Sequence, residues 1–111
     1  MKLTFSLFFN IFFILCINSQ VVFAENIDVE AGEQIFSQNC TACHSGGENS
    51  VNPIKTLKIG DLKDYSMYSS DKIVYQVTNG NPNGMPAFGG RLSEDDINNV
   101  AGYVLDHADK W

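Results

Sequence analysis

The chain has 111 residues, a formal net charge of −6 and 18% charged residues, enough for one compact domain with a single core. Its acidic balance argues against nucleic acid as a partner and favours a basic docking surface on another protein, reached by salt-sensitive electrostatic steering. A domain this small usually needs a staple, whether disulfide, metal or buried cofactor.

Residues Met1 to Ala24 stand apart. Lys2 precedes an apolar run of about fifteen residues from Leu3 to Ile17, interrupted by Thr4, Ser6 and Asn10, and small or β-branched residues lead up to Glu25, which is the pattern of a cleaved export signal. A membrane anchor is the rival, and it wants a longer and cleaner span of about 18–20 apolar residues. Removing residues 1–24 takes away Cys16 and Lys2, leaving a mature domain of residues 25–111 with Cys40 and Cys43, six basic and thirteen acidic residues.

Asp28 to Cys43 is predicted as a helix, with Asp28 as N-cap and acids in the first turn. Gly32 and Phe36 share a face, and a glycine inside a helix marks close approach of another element. Ser45 to Pro53 is loop chemistry. Lys55 to Ile59 is expected to form one or two helical turns stopped by Gly60, and Asp61 to Ser70 is open between a short helix and a loop. A capped helix follows from Ser70 or Asp71 to Asn79, carrying Ile73, Val74 and Val77 on one face, with Gly80 as its C-terminal glycine. Asn81 to Gly90 is a Gly- and Pro-rich loop. Ser93 then caps an amphipathic helix with Glu94, Asp95 and Asp96 in its first turn and Ile97, Val100, Ala101, Val104, Leu105 and Ala108 at helical spacing. No strand signal competes, so the domain is expected to be all-α.

The run Cys40-Thr41-Ala42-Cys43-His44 is the attachment pattern of haem c: two thiols about one helical turn apart can form thioethers with two vinyl groups while the adjacent imidazole faces the iron. A zinc site would need further ligands that the mature chain lacks, His107 being its other histidine. A thioredoxin-like redox pair would need a βαβ setting. For the sixth iron position the candidates are Met67, Met85 and His107. Met85 is preferred because it sits in a Gly- and Pro-rich loop whose backbone can approach the haem. Met67 reads as a packing residue, and His107 falls off the apolar stripe of the last helix and is expected to face solvent. A His and Met pair gives a closed iron with raised potential. No nucleophile, base or second metal cluster stands out, so an enzyme is not expected.

These residues, together with Pro53 to Leu57, Tyr75 to Gly80, Met85 to Leu92, Val100 to Leu105 and the terminal Lys110-Trp111, resemble cytochrome c6 of algae and cyanobacteria. The resemblance implies a class I cytochrome c fold, roughly four helices around one covalent haem c. It implies a monomer without a permanent membrane anchor, moving electrons in the thylakoid lumen from cytochrome f of the cytochrome b6-f complex to photosystem I. It also implies that Cys40 and Cys43 are the thioether positions, His44 and Met85 the axial ligands, Gln76 a haem neighbour that holds the potential high, and Arg91 a docking residue for photosystem I. Gly32 and Phe36 would cross against Tyr103. The chain departs from the family at Asn81-Pro82-Asn83-Gly84, one residue longer than usual and without a lysine. Two alternatives stay open: a bacterial-type monohaem cytochrome serving an oxidase or dehydrogenase, and a haem enzyme or sensor with an open sixth position.

Overall fold

The computed structural model describes residues 26–111, in which five α-helices and one 3-10 turn follow in order: α1 Val29–Asn39, α2 Thr41–His44, the 3-10 turn Ser45–Gly47, α3 Ile59–Asp64, α4 Ser70–Asn79 and α5 Glu94–His107. The β-type pairing among these residues is an isolated bridge between Gly89 and Leu92. The domain is all-α, as its periodicity predicts. The export signal expected at 1–24 lies outside the described residues.

The helix starts follow local chemistry. The Asp28 carboxylate accepts from Ala31 N–H at 3.0 Å, and the Ser69 hydroxyl accepts from Lys72 N–H at 3.3 Å, capping α4 at the first of its two expected starts, Ser70. Ser93 and Asp96 form a reciprocal capping box at the start of α5. Each such cap satisfies amide donors that the helix itself leaves unpaired, worth about 1 kcal/mol.

Two expected boundaries shift. The helix predicted over Asp28 to Cys43 breaks at Cys40, which has φ −117°. There the Thr41 hydroxyl donates to Ser37 O at 3.0 Å and the Asn39 amide to Ile35 O at 3.0 Å, so side chains compete for the carbonyls that would extend the ladder. Of the turns expected over Lys55 to Ile59, residues 55–58 are irregular chain instead, Ile59 opens α3, and Gly60 lies inside that helix rather than ending one. The Asp61 carboxylate accounts for this by accepting from both the backbone N–H and the hydroxyl of Thr56, which folds residues 56–61 into a closed loop.

The core is built where α1 crosses α5. Backbone approaches backbone at Gly32, where a Cβ would overlap the Asn99 carbonyl and the Tyr103 Cβ. Beside it, Phe36 and Tyr103 meet edge to face with ring centroids 5.2 Å apart, the crossing expected from the resemblance. Asp28 N–H donates to Asn99 Oδ1 at 3.0 Å and fixes the register. Helix α4 adds Ile73 and Val77, α3 adds Leu62, and α5 supplies Ile97, Val100, Ala101 and Val104. Gly32→Ala is expected to destabilise the domain by about 3 kcal/mol, because a rigid backbone carbonyl cannot give way as a side chain would. Thermal unfolding followed by circular dichroism should show the midpoint falling by at least about 10 °C.

Candidate haem-binding site

Helix α2 carries the attachment run. Cys43 N–H and His44 N–H both donate to Cys40 O, at 3.2 and 2.9 Å, so a single tight turn brings the two cysteines and the histidine together. Both thiols are free and half-buried. Burial pushes the Cys40 thiol up to about 11, so it keeps its proton at neutral pH and is a poor partner for thiolate exchange.

Just beyond α2 the chain reverses through Gly46 and Gly47, both with positive φ, a conformation that costs other residues strain. The reversal brings Glu48 O to 2.9 Å from His44 Nδ1. A carbonyl can only accept, so Nδ1 carries the proton and Nε2 keeps the lone pair needed to bind a metal. The imidazole is thus held in the tautomer that an axial ligand requires. Sequence reasoning missed Glu48 because its contribution is a backbone oxygen, and no side-chain pattern reports it.

The same reversal is clamped from the C-terminus. A Cβ on Gly47 would overlap the Trp111 ring. The Trp111 indole N–H donates to Leu57 O at 3.0 Å, while Leu57 N–H donates to Gly47 O at 2.8 Å. Lys58 and Glu48 pair across the surface at 2.7 Å, and that hydrogen bond with its ion pair raises the Lys58 ammonium above its ordinary value. His107, expected in solvent, belongs to this clamp instead. Its ring lies 4.7 Å from Tyr103 and 5.0 Å from Trp111 between centroids, and its Nδ1 is buried with no hydrogen-bond partner among the described residues. The C-terminal segment folds back over the end of α5, which helical periodicity alone does not register. Burial, followed by the Glu33 charge, raises the Tyr103 phenol above its ordinary value.

Met85 is half-buried against the edge of the core. Its main chain is gripped twice by Asn81: Met85 N–H donates to Asn81 Oδ1 at 3.3 Å, and Asn81 N–H donates to Met85 O at 3.0 Å. Gly80, at φ +64°, lets the loop fold back so closely that a Cβ there would lie 2.5 Å from Met85 O. The Gln76 side-chain amide donates to Met85 Sδ at 3.4 Å, so α4 and the loop bring together the expected haem neighbour and the expected sixth ligand. One sulfur lone pair takes this hydrogen bond and the other remains available to a soft metal. Met67 is half-buried, with its N–H bonded to Leu62 O at 2.7 Å, and packs against the core cluster.

The donor chemistry therefore fits a covalently attached haem: two free thiols on one turn, an imidazole presenting Nε2, and a thioether. Leu57, Ile59, Val74 and Leu92, like Met85, are half-buried and packed against the core cluster, and Val51 and Ile54 are exposed, so the domain offers apolar surface that a bound macrocycle could cover. Among the described residues no group of three or more His, Cys, Asp or Glu side chains is placed to hold a metal ion. Arg91 is exposed, its guanidinium 5.0 Å above the Phe88 ring, and its N–H donates to Phe88 O at 3.0 Å. No helix among the described residues is long and apolar enough to cross a membrane.

Comparison with known proteins places this geometry. Residues 27–104 match the family described as cytochrome C oxidase, cbb3-type, subunit III. Cytochrome c6 of Porphyra purpurea is 50% identical over 99% of this chain and 98% of its own length. Cytochrome c6 of Alaria esculenta is 56% identical over 76% of this chain and 96% of its own. The crystal structure of cytochrome c6 from the diatom Phaeodactylum tricornutum superposes with a TM-score of 0.70 at 53% identity, covering 73% of this chain and 94% of that one.

Proposed function

This chain belongs to the cytochrome c6 family and carries one covalent haem c as an electron carrier, not an enzyme, and from that premise we propose that it passes single electrons from cytochrome f of the cytochrome b6-f complex to photosystem I. The observation that carries the route is the end-to-end similarity to algal cytochrome c6. In this proposal residues 1–24 are a cleaved export signal and residues 25–111 the working domain, delivered to the thylakoid lumen.

Bound haem c supplies an iron that cycles between ferric and ferrous states. The protein's part is to hold that iron still. Cys40 and Cys43 would hold the haem as thioethers, each thiol adding S–H across a vinyl group so that attachment would need no oxidant. His44 would ligate through Nε2, because Glu48 O holds the Nδ1 proton. Met85 would ligate through Sδ, a soft donor that favours the ferrous state. Gln76, donating to that same sulfur, orients the thioether and draws electron density from it. All of these contacts can persist in both oxidation states, which keeps the rearrangement that accompanies transfer small.

Docking relies on a strongly acidic surface, with Glu30, Glu33, Glu94 and Asp95 exposed on the helices, and on Arg91 as a local cation beside the Met85 loop. Flash photolysis of photosystem I in the presence of the protein tests the route. Re-reduction of the photo-oxidised centre should accelerate with added protein, and Arg91→Glu should slow it about tenfold at low salt through lost steering while leaving the midpoint potential unchanged. An unchanged re-reduction rate at low and moderate salt would remove photosystem I as the acceptor. Rapid oxidation by a terminal oxidase in its place would support the alternative of a cytochrome serving an oxidase, in keeping with the match of residues 27–104 to the cbb3-type oxidase subunit III family.

A further inference from the structure

The chain contains two Asn-Gly pairs, Asn79-Gly80 and Asn83-Gly84. Such pairs are the ones most prone to intramolecular imide formation, because glycine offers no side chain to hinder approach of its amide nitrogen to the preceding side chain. Sequence alone treats the two alike. The fold does not.

Asn79 is the last residue of α4. Its side-chain amide donates to Tyr75 O at 2.9 Å, and the Gly80 N–H that would have to attack donates to Gln76 O at 2.8 Å. Both reacting groups are occupied, and the helical backbone holds them in place. Asn83 is exposed at the tip of the Asn81-Pro82-Asn83-Gly84 turn. Among the described residues no hydrogen bond holds its side-chain amide, and Gly84 N–H has only a 3.5 Å contact with Asn81 O. Gly84 also has φ +131°, an open conformation of a residue with wide backbone freedom. Two further asparagines are excluded by their own geometry. Asn81 precedes Pro82, which has no amide hydrogen, and the Asn49 side chain is held by Val51 N–H, Asn52 N–H and Lys55 O.

We propose that Asn83 is a site of spontaneous deamidation built into the loop that bears Met85. The Gly84 amide nitrogen bonds to Asn83 Cγ, and the side-chain nitrogen leaves as ammonia, carrying the amide proton. Water then opens the resulting five-membered imide at either carbonyl, leaving aspartate or isoaspartate at position 83. No electrons are gained or lost.

Both products add one negative charge beside Met85. Isoaspartate also inserts a methylene into the main chain between the amide of residue 83 and the amide of Met85. Those two N–H groups now converge on one acceptor, Asn81 Oδ1, at 2.9 and 3.3 Å, and a longer path between them breaks that shared grip. The loop that presents Met85 is therefore also the loop that ages.

The test is to hold the purified holoprotein in mildly alkaline buffer and follow the peptide 73–91, which contains both pairs, by fragment-resolved mass spectrometry, with isoaspartyl methyltransferase labelling as a second readout. Asn83 should convert at least about tenfold faster than Asn79, the ratio that about 1.4 kcal/mol of local opening free energy sets, and the two rates should converge in denaturant. Asn83→Gln should cut the rate at which the acidic, methyltransferase-labelled form appears at least about tenfold, and Asn79→Gln should leave that rate almost unchanged. Equal native rates, or an Asn83 that stays intact while the denatured chain converts, would overturn the proposal. Mass and labelling do not depend on any redox partner, so this result stands apart from the photosystem I experiment.

Discussion

Met85→Ala is expected to lower the midpoint potential by on the order of 0.2 V, a modest part of the about 0.8 V range that axial ligation commands. The fold should survive. Met85 is only half-buried, and the loop around it is held by backbone contacts that alanine keeps, from Asn81 and through the close approach at Gly80. What disappears is the thioether and the acceptor of the Gln76 amide, leaving one ferrous-favouring donor fewer and an open position. The ferrous form of the variant should bind carbon monoxide readily, and the weak near-infrared band of sulfur-ligated ferric haem should vanish. A potential and spectrum that do not move would show that Met85 is not the sixth ligand. Met67 would then be the next thioether to replace, and the open-site alternative would be tested by carbon monoxide binding to the unaltered protein.

The double substitution Cys40→Ala with Cys43→Ala should have the larger structural consequence: haem that extracts into acidified acetone, and a chain that no longer folds cooperatively. The protein's own core is thin. Among the described residues Val100 is the one large side chain less than 2% exposed, and Ile54, at 69%, lies on the surface. A domain of this size balances apolar burial against chain entropy with only about 5–15 kcal/mol to spare. Losing the tether of an apolar group of that size is enough to reverse that balance, by at least about 5 kcal/mol, much as removal of a structural metal unfolds small metal-dependent domains. Circular dichroism of the double variant should show a broad, early transition. Each single variant should keep one thioether, retain its haem through extraction and unfold between the two extremes. Haem that resists extraction from the double variant would contradict the assignment of both thiols.

Most of the helical framework was legible because its signals are local. Asp28, Ser93 and the acids after it define helix starts through contacts within three residues, and the apolar spacing from Ile97 to Ala108 marks the buried face of α5. The haem motif is local in the same sense, and it was the Gly- and Pro-rich surroundings of Met85 that singled it out over Met67. The misplaced boundaries have the opposite character. The break at Cys40 follows from two side chains taking carbonyls that a helix would otherwise use, and Gly60 remains helical because Asp61 closes the preceding loop. Propensity ranks residues one at a time and does not contain such competitions.

Site assembly divides along the same line. Cys40, Cys43 and His44 are neighbours in the chain, so their shared turn, and with it the cofactor class, was determined by the sequence alone. The tautomer of His44 was not, because it depends on where the carbonyl of Glu48 arrives after a glycine reversal, and that reversal is clamped by Trp111 from the far end of the chain. His107 moved from solvent to an aromatic cluster for the same reason, and the contact between Gln76 and Met85 exists only once α4 and the following loop close on each other. Asn79 and Asn83 make the point most simply, since they share one dipeptide and differ only in which amides the fold has already bonded. Caps, helical faces and the attachment run rest on interactions spanning a few residues, which sequence encodes directly. Tautomer, ligand orientation and chemical reactivity depend on what packs against a group from elsewhere, and only the tertiary structure decided them.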